Sequence, residues 1–257
     1  MVLTADVGNT STVIGLWRGG ELVRRFRLAT NRERSADEYR ALLGALFAQD
    51  GLSPPKAAAI ASVVPPVERE LEAAFKGLWG ISSLHLRPDN AGLSLEVENP
   101  AGVGPDRLAN ALAALELARA ERYLVVDFGT ATTFDLVAEP DRYLGGAIAP
   151  GPETAAEALV ERAAMLFRFD PLPPPRSVVG KNTAEAMRSG IVLGYASLVE
   201  GMVARFRNEV GPLFVVATGG FAPVVARLAA GIDLVDPDLT LKGIYRFFQR
   251  RQGPPPR

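Results

Sequence analysis

The stretch YLVVDFGTATTFDLV, residues 123–137, has the pattern of a buried strand, a tight turn and a second strand. Asp127 and Thr130 lie at the predicted turn, where ions and phosphates can reach their side chains. Asp135 falls inside the second strand, and we expect it to be structural. A carboxylate and several hydroxyls at the tip of an apolar strand indicate a binding turn.

This turn has a second copy near the N-terminus. The motif Asp6-x-Gly8-Asn9-x-x-Thr12 matches Asp127-x-Gly129-Thr130-x-x-Thr133. Each copy follows an apolar strand and leads into a hairpin. Further along, AIASVVPPV and VVATGGFAPVV each combine a buried strand, a hydroxyl residue near its end and a helix. The repeat predicts two related lobes of strand–hairpin–helix–strand–helix order.

The repeat also predicts domain bounds. We expect one lobe over residues 1–115, a second over 116–250 and a disordered tail over 251–257, which reads QGPPPR from position 252. A helix from about Pro105 to Ala120 would join the lobes, and the two Asp turns would face each other across a cleft. Other helices are predicted at 35–51, 65–80, 153–166, 183–210 and 223–230, with a final helix near the C-terminus.

Composition limits the kinds of partner and catalytic site that this sequence can have. The 257 residues carry 28 basic and 29 acidic side chains, a net charge of −1, which gives no electrostatic support for binding nucleic acid or a membrane surface. There is no cysteine, so disulfides, zinc–thiolate sites and thiol catalysis are excluded. The first residues lack the pattern of a secretory signal, and we expect a cytoplasmic protein. Catalysis must use carboxylates, hydroxyls, backbone amides and basic side chains, since His85 is the one histidine.

The first turn has the composition of a phosphate-binding loop. Gly8 allows the backbone to turn with its N–H groups exposed, and the polar residues after it add donors. Asp6, at the strand tip, is placed to hold Mg²⁺ or a water bound to it. A plain hairpin turn is the alternative, because Asp, Gly, Asn and Thr are common in turns. The matching second copy favours binding.

A second candidate site lies in NPAGVGPDRLANALAALELA, residues 99–118. Pro105 suits the first turn of a helix, which places Asp106 where the helix dipole stabilises a carboxylate. Simple capping of the helix would explain Asp106. The functional alternative is a base that accepts a hydroxyl proton during phosphoryl transfer. Arg107 beside it has the planar fork that binds carboxylates and phosphates.

The paired turns resemble the phosphate loops of the acetate kinase, sugar kinase, Hsp70 and actin superfamily, whose two ribonuclease-H-like lobes close on ATP. In addition, DVGNT, GPDR, DFGTATTFD, GGAIAPG, GKNT and ATGG occur in the order typical of type III pantothenate kinases. This resemblance covers nearly the whole chain. It implies an α/β class, a duplicated actin-like ATPase fold of two ribonuclease-H-like lobes and an ATP cleft between them.

The resemblance implies ATP-dependent phosphorylation of pantothenate to 4′-phosphopantothenate, the first step of coenzyme A biosynthesis, by a homodimer. It assigns Asp106 as general base, Asp127 as the site of K⁺ or NH₄⁺, and Asp6 as a residue near Mg²⁺. Thr183 would reach pantothenate from the neighbouring subunit. The implied pantothenate-binding residues are Gly104, Pro105, Asp106, Arg107 and Thr183. The implied ATP-binding residues are Asp6, Val7, Gly8, Asn9, Thr10, Ser11, Thr12, Val13, Thr130, Gly219 and Gly220.

Three further sets of residues also carry expectations. Many family members have an aromatic residue, usually Tyr, where this chain has Val97, which would remove a hydroxyl contact to pantothenate. Gly190 and Gly194 allow close helix packing, either within the second lobe or in a dimer interface. His85 is expected to be a structural histidine.

Two other functions stay open from the residues alone. A polyphosphatase or a small-polyol kinase could share the fold, but GPDR argues against both. A nucleotide-binding regulator without catalysis is the other alternative. The intact Asp6, Asp106, Asp127 and Thr130 argue against a loss of activity.

Overall fold

The structure, a computed structural model, describes residues 1–162 and 172–252. It is an α/β protein that divides into two compact units. The first unit comprises Met1–Glu116 together with the C-terminal stretch that starts at Leu239, and the second comprises Leu117–Asp238.

The first unit is built on a five-stranded sheet. Its strands, in the order β3-β2-β1-β4-β5, combine an antiparallel β1–β2–β3 meander with parallel β1–β4 and β4–β5 pairs. Helices follow the strands where the sequence changes from alternating to helical periodicity. The elements are β1 (Val2–Val7), β2 (Ser11–Arg18), β3 (Glu21–Ala29), α1 (Ala36–Gln49), β4 (Ala57–Ser62), α2 (Pro65–Trp79), β5 (Ser83–His85), β6 (Ser94–Leu95), a 3-10 turn (Pro100–Gly102), α3 (Pro105–Leu115) and α7 (Leu239–Gln252).

Local signals set the helix ends in this unit as predicted. The Ser35 side chain caps α1, and Glu38 completes the capping box by accepting from the Ser35 backbone. Pro65 starts α2, and Gly80 ends it in the left-handed conformation at φ 67°. The apolar faces of these helices then pack on the sheet around Tyr39, Leu71 and Phe75, which have no exposed surface.

The last helix, α7, packs in the first unit. The sequence-based division assigned residues 239–250 to the second lobe, whereas α7 lies against α3, β1 and β4. Its ring of Tyr245 stacks on Trp17 with centroids 4.4 Å apart. A Cβ atom on Gly243 would collide with the Ala109 carbonyl, so this glycine permits the close crossing of α7 and α3. The helix continues through Gln252, and the rest of the predicted tail lies outside the described residues.

The second unit repeats the plan of the first. Its strand order, β11-β10-β7-β8-β9, again combines an antiparallel meander with parallel pairs on the far side of the first strand. The predicted repeat of strand, hairpin and helix is therefore confirmed. The elements are β7 (Arg122–Phe128), β8 (Ala131–Ala138), β9 (Arg142–Pro150), α4 (Pro152–Arg162), α5 (Thr183–Val210), β10 (Phe214–Gly219), α6 (Ala222–Val225) and β11 (Leu234–Val235).

Several helix bounds differ from the prediction. The predicted 105–120 helix ends at Leu115 as part of the first unit, and the predicted 223–230 helix is a single turn, α6. The 183–210 helix is confirmed as α5. The predicted end of α4 at Leu166 lies outside the described residues. Across residues 1–162 and 172–252, no helix has the length and apolarity that a membrane span requires.

Candidate active site

The polar turn of the second unit lies at the carboxyl end of β7. Asp127, half-buried, pairs in register with Thr133 on one side and Thr218 on the other. Thr130, at the tip of the turn, is exposed. Its carbonyl accepts hydrogen bonds from the backbone N–H of Gly151 at 2.9 Å and from Oγ1 of Thr154 at 2.7 Å. The start of α4 thus holds this turn in place.

Gly219 lies directly beside the Asp127 carboxylate. Its φ is +90°, and a Cβ atom here would lie 2.6 Å from Oδ1 of Asp127 and 2.5 Å from the carbonyl oxygen of Phe128. Glycine is the residue that fits such a position. Both contacts show that a side chain at position 219 would press on the Asp127 carboxylate. Gly220 follows in the exposed turn after β10.

The polar turn of the first unit joins β1 to β2. Asp6 and Val7 end β1, Ser11 and Thr12 begin β2, and Asn9 and Thr10 are exposed between them. Asp6 is half-buried, and it pairs with Val13 across the hairpin. The backbone N–H of Gly8 donates to the Ser11 carbonyl at 3.0 Å, which closes the turn.

Thr30, the residue after β3, contacts this first turn at several points. Its Oγ1 donates to the Gly8 carbonyl at 2.8 Å, and its backbone N–H donates to the Thr10 carbonyl at 3.0 Å. Oγ1 of the buried Thr12 lies 2.9 Å from the same hydroxyl. Two residues on, Nη2 of Arg32 donates to Oδ1 of Asn9 at 3.3 Å. Sequence reasoning missed Thr30, because a lone threonine at a strand end carries no signal of its own.

The two turns differ in length by one residue. The closing hydrogen bond from Gly8 reaches three positions on, whereas the bond from Gly129 reaches only two. The strand registers therefore make Thr12 equivalent to Thr132 rather than to Thr133. Thr12 and Thr132 are both fully buried. The gapless sequence comparison was wrong by one position here, since it could not register a shorter turn.

The motif GPDR forms the N-terminus of α3. Gly104 is the N-cap residue with φ −62° and ψ 140°, Pro105 occupies the first turn, and Asp106 follows it. The Asp106 carboxylate bends back over the N-cap, where Oδ1 accepts the backbone N–H of Arg107 at 2.9 Å. A Cβ atom on Gly104 would collide with that oxygen. All four residues are half-buried, so the carboxylate and the guanidinium sit at the surface of a well-anchored helix.

The motif GKNT forms the N-terminus of α5. The side chain of Asn182 caps the helix by accepting the Glu185 N–H at 2.9 Å, and Glu185 in turn accepts the N–H of Lys181 at 2.8 Å. Gly180 packs so closely on Ala186 that a Cβ atom would not fit. Thr183, the first residue of α5, is exposed at the end of this loop.

A groove of about 430 Å³ runs along α5 beside this motif. Its lining includes Val178, Gly180, Ala186, Gly190, Gly194 and Ser197. Apart from the backbone of α5 itself, no atom of the described residues lies within 4 Å of a Cβ placed on Gly190 or Gly194, and both glycines are exposed. Val178 is 71% exposed, which adds apolar surface to the groove.

Asp135 is a structural residue, as its position in the strand predicted. It is fully buried in β8, where Oδ1 accepts from the Tyr143 hydroxyl at 2.7 Å and Oδ2 from the Thr133 hydroxyl at 2.8 Å. Its carboxylate therefore links β8 to β9 below the turn, away from the turn's exposed tip.

His85 is likewise satisfied within the first unit. Its Nδ1 lies 2.5 Å from Oε1 of the buried Glu68, and its Nε2 lies 3.3 Å from Oε1 of Glu72. The hydrogen bond with Glu68 raises the pKa of His85 above its usual value. Burial acts to raise the pKa of Glu68, but hydrogen bonds from His85 and Arg87 bring it below its usual value. These contacts brace β5 against α2 and give His85 a structural role.

Comparison with known proteins identifies the family. The family model described as type III pantothenate kinase matches residues 2–205. A type III pantothenate kinase of Thermus thermophilus is 55% identical over 252 residues, which cover 98% of this chain and 100% of the relative. The chain belongs to the type III pantothenate kinase family. The corresponding enzyme of Desulfosudis oleivorans is 45% identical over 248 residues, covering 95% of this type III pantothenate kinase and 97% of the relative.

Solved structures show that this type III pantothenate kinase has the predicted fold. The ROK hexokinase from Thermus thermophilus superposes with a TM-score of 0.53 at 15% identity, covering 98% of this chain and 99% of that one. A ROK family glucokinase from Streptomyces griseus, in complex with glucose and AMPPNP, gives 0.52 at 13% identity, with 97% and 99% covered. The two units are the ribonuclease-H-like halves of a duplicated actin-like ATPase fold.

Family membership establishes the reaction. The enzyme is a phosphotransferase that phosphorylates pantothenate with ATP in coenzyme A biosynthesis. Within residues 1–162 and 172–252, no group of three or more acidic or histidine side chains is placed to hold a metal ion.

Proposed function

We propose that Asp106 is the general base of this kinase and acts on the primary hydroxyl of pantothenate. The observation that carries this role is the geometry at the start of α3. Gly104 leaves space into which the Asp106 carboxylate bends, and the backbone N–H of Arg107 holds one of its oxygens at 2.9 Å. In this proposal the carboxylate held at that position accepts the hydroxyl proton.

In the proposed reaction the hydroxyl proton passes to the Asp106 carboxylate while the hydroxyl oxygen attacks the γ-phosphorus of ATP. The bond from that phosphorus to the bridging oxygen breaks, and ADP leaves. A carboxylate near a helix N-terminus is a weak base. The weak basicity of Asp106 lowers the rate little, because phosphoryl transfer depends mainly on positioning and on neutralising charge. Arg107, next to Asp106, supplies a guanidinium for the carboxylate of pantothenate.

The two polar turns are proposed to bind the phosphates of ATP. The exposed tips at Asn9 and Thr130 present backbone N–H groups and side-chain donors, as phosphate loops do. A Mg²⁺ ion would be held by Asp6. A K⁺ or NH₄⁺ ion would be held by the half-buried carboxylate of Asp127. When bound, these ions neutralise the charge of the transferred group.

The proposed enzyme is a homodimer in which Thr183 reaches the pantothenate of the neighbouring subunit. The groove along α5 supports this, because the described residues of the unit do not cover its glycine face or the exposed Val178. A second α5 would pack closely against Gly190 and Gly194. The exposed Thr183 lies at the end of the same helix, beside Gly180 of the groove. The cytoplasmic location expected from the sequence stays a prediction.

The proposal is tested by kinetics with matched carboxylate variants. Product formation from ATP, Mg²⁺, K⁺ and pantothenate is measured for Asp106→Asn and for Asp37→Asn, a surface carboxylate in the first turn of α1. We expect Asp106→Asn to lose about 10²-fold or more in kcat, as expected for a general base, and Asp37→Asn to keep full activity. Equal activity of the two variants would refute the assigned base. Omission of K⁺ should lower the rate of the wild-type enzyme.

A further inference from the structure

The hydroxyl of Thr30 is the centre of a directed chain of hydrogen bonds. This hydroxyl has one proton, and it donates that proton to the Gly8 carbonyl at 2.8 Å. The 2.9 Å contact with Thr12 must then be donated by the Thr12 hydroxyl. The chain therefore runs from Thr12 to Thr30 to the carbonyl of Gly8. Thr12 is fully buried, so the first link is shielded from water.

This series of hydrogen bonds fixes the direction of one peptide group in the turn. In a trans peptide the C=O and the following N–H point in opposite directions. Since the Gly8 carbonyl points at Thr30, the N–H of Asn9 points away from it. Successive hydrogen bonds also polarise one another, which makes the Asn9 N–H a stronger donor. A second bond, from the Thr30 N–H to the Thr10 carbonyl at 3.0 Å, orients the next part of the turn.

The β2–β3 hairpin has its own ladder of residue pairs, separate from these bonds. The β2–β3 ladder pairs Ser11 with Ala29 at one end and Arg18 with Glu21 at the other. Thr30 lies just past that ladder, and the three contacts described above join it to the turn and to Thr12. Its side chain therefore orders the turn rather than the strands.

The second unit holds its turn at the equivalent place with different side chains. The residue after its third strand is Gly151, and the N–H of Gly151 donates to the Thr130 carbonyl at 2.9 Å. The Thr154 hydroxyl adds a bond of 2.7 Å to the same carbonyl. Two turns of unequal length are thus clamped from the same structural position. Because both units hold their turns from this position, we infer that each turn must keep a fixed conformation.

We propose that Thr30 is a positioning residue for ATP: its hydroxyl orients the turn of residues 8–10 so that the backbone N–H of Asn9 faces the nucleotide phosphates. This inference rests on the proposed assignment of residues 6–13 as a nucleotide turn. A lost neutral hydrogen bond of the usual strength corresponds to a change of about 5-fold to 10-fold in an equilibrium constant. We expect Thr30→Val to raise KM for ATP by about that factor, with KM for pantothenate unchanged.

The test compares Thr30→Val with Thr30→Ser and Thr4→Val in steady-state kinetics. Serine keeps the hydroxyl and should restore the wild-type KM for ATP. Thr4→Val is the matched control, because Thr4 is a buried threonine of the same sheet whose hydroxyl accepts from Trp17 at 2.8 Å, away from the turn. It should lower Tm and leave KM for ATP unchanged. An unchanged KM for ATP in Thr30→Val, or an equal rise in both KM values, would overturn the proposal.

A variant of the turn itself separates this inference from the proposed function. Asn9→Ala removes a side chain at the exposed tip and should raise KM for ATP. If Asn9→Ala raises it and Thr30→Val does not, the positioning role of Thr30 is wrong and the nucleotide turn stands. If neither variant changes KM for ATP, neither the Asn9 side chain nor the Thr30 hydroxyl contributes to nucleotide binding, and the roles proposed for both groups are wrong. Titration with AMPPNP by calorimetry checks the binding constants when a variant is too slow for kinetics.

Discussion

A single methyl group at position 104 should disable the proposed base. Gly104 has φ −62° and ψ 140°, a conformation that alanine adopts without strain. The added Cβ would collide with Oδ1 of Asp106, the far end of a side chain that can rotate away. The carboxylate must retreat by about 1 Å to reach ordinary contact, and misplacement on that scale costs about 10²-fold in rate. Gly104→Ala should therefore lower kcat about 10²-fold.

The fold should tolerate this change, which makes the loss of rate specific. Thermal unfolding is expected to shift by only a few degrees, because no backbone atom obstructs the methyl group. Gly44→Ala is the matched control, since its Cβ would lie 3.7 Å from Leu78, an ordinary contact. The assay is pantothenate-dependent ADP release at saturating substrates. Full activity of Gly104→Ala would refute the reasoning.

A double-mutant cycle tests whether the loss acts through Asp106. If Gly104→Ala only displaces the carboxylate, adding it to Asp106→Ala should change kcat by less than about 3-fold, since neighbouring groups that act together are not additive. A further loss near 10²-fold would place the effect of Gly104 elsewhere in the substrate site.

Three further predictions follow from the second unit and from β5. Gly219→Ala should lower Tm and weaken activation by K⁺, as seen in a K⁺ titration, because its Cβ would press on Asp127 and on the rigid Phe128 carbonyl. Asp127→Ala should raise the K⁺ concentration for half-maximal rate; an unchanged titration would contradict the cation site. His85→Gln should lower Tm most between about pH 5 and 6.5. Because the pKa of His85 is raised in the folded protein, the stabilisation from protonated His85 is lost as the pH rises through that folded-state pKa. Because the pKa of Glu68 is lowered, the stabilisation from ionised Glu68 is lost as the pH falls through its folded-state pKa.

Much of the fold could be predicted because strong local signals agreed with each other. Ser35 and Glu38 define the start of α1, and the repeated Asp turn revealed the duplication. The place of α7 could not be predicted, since packing against α3 depends on Gly243, whose role appears only when the two helices are brought together.

Some residues of the candidate site could be singled out from the sequence and others could not. The repeated turn singled out Asp127 and the motif GPDR singled out Asp106, and the roles of both residues stay predictions. Thr30 and Gly151 were missed, because they hold the turns by single backbone or hydroxyl bonds across 20 or so positions of sequence. A gapless repeat likewise could not show that one turn is a residue shorter.

The central claim is that Asp106 takes the hydroxyl proton of pantothenate, and one measurement tests it most directly. The single-turnover rate of phosphopantothenate formation is compared between the wild type and Asp106→Asn, with enzyme in excess and ATP saturating. The account predicts a loss of about 10²-fold or more in the chemical step, with the affinity for AMPPNP unchanged. A single-turnover rate for Asp106→Asn within about 3-fold of the wild type would contradict it.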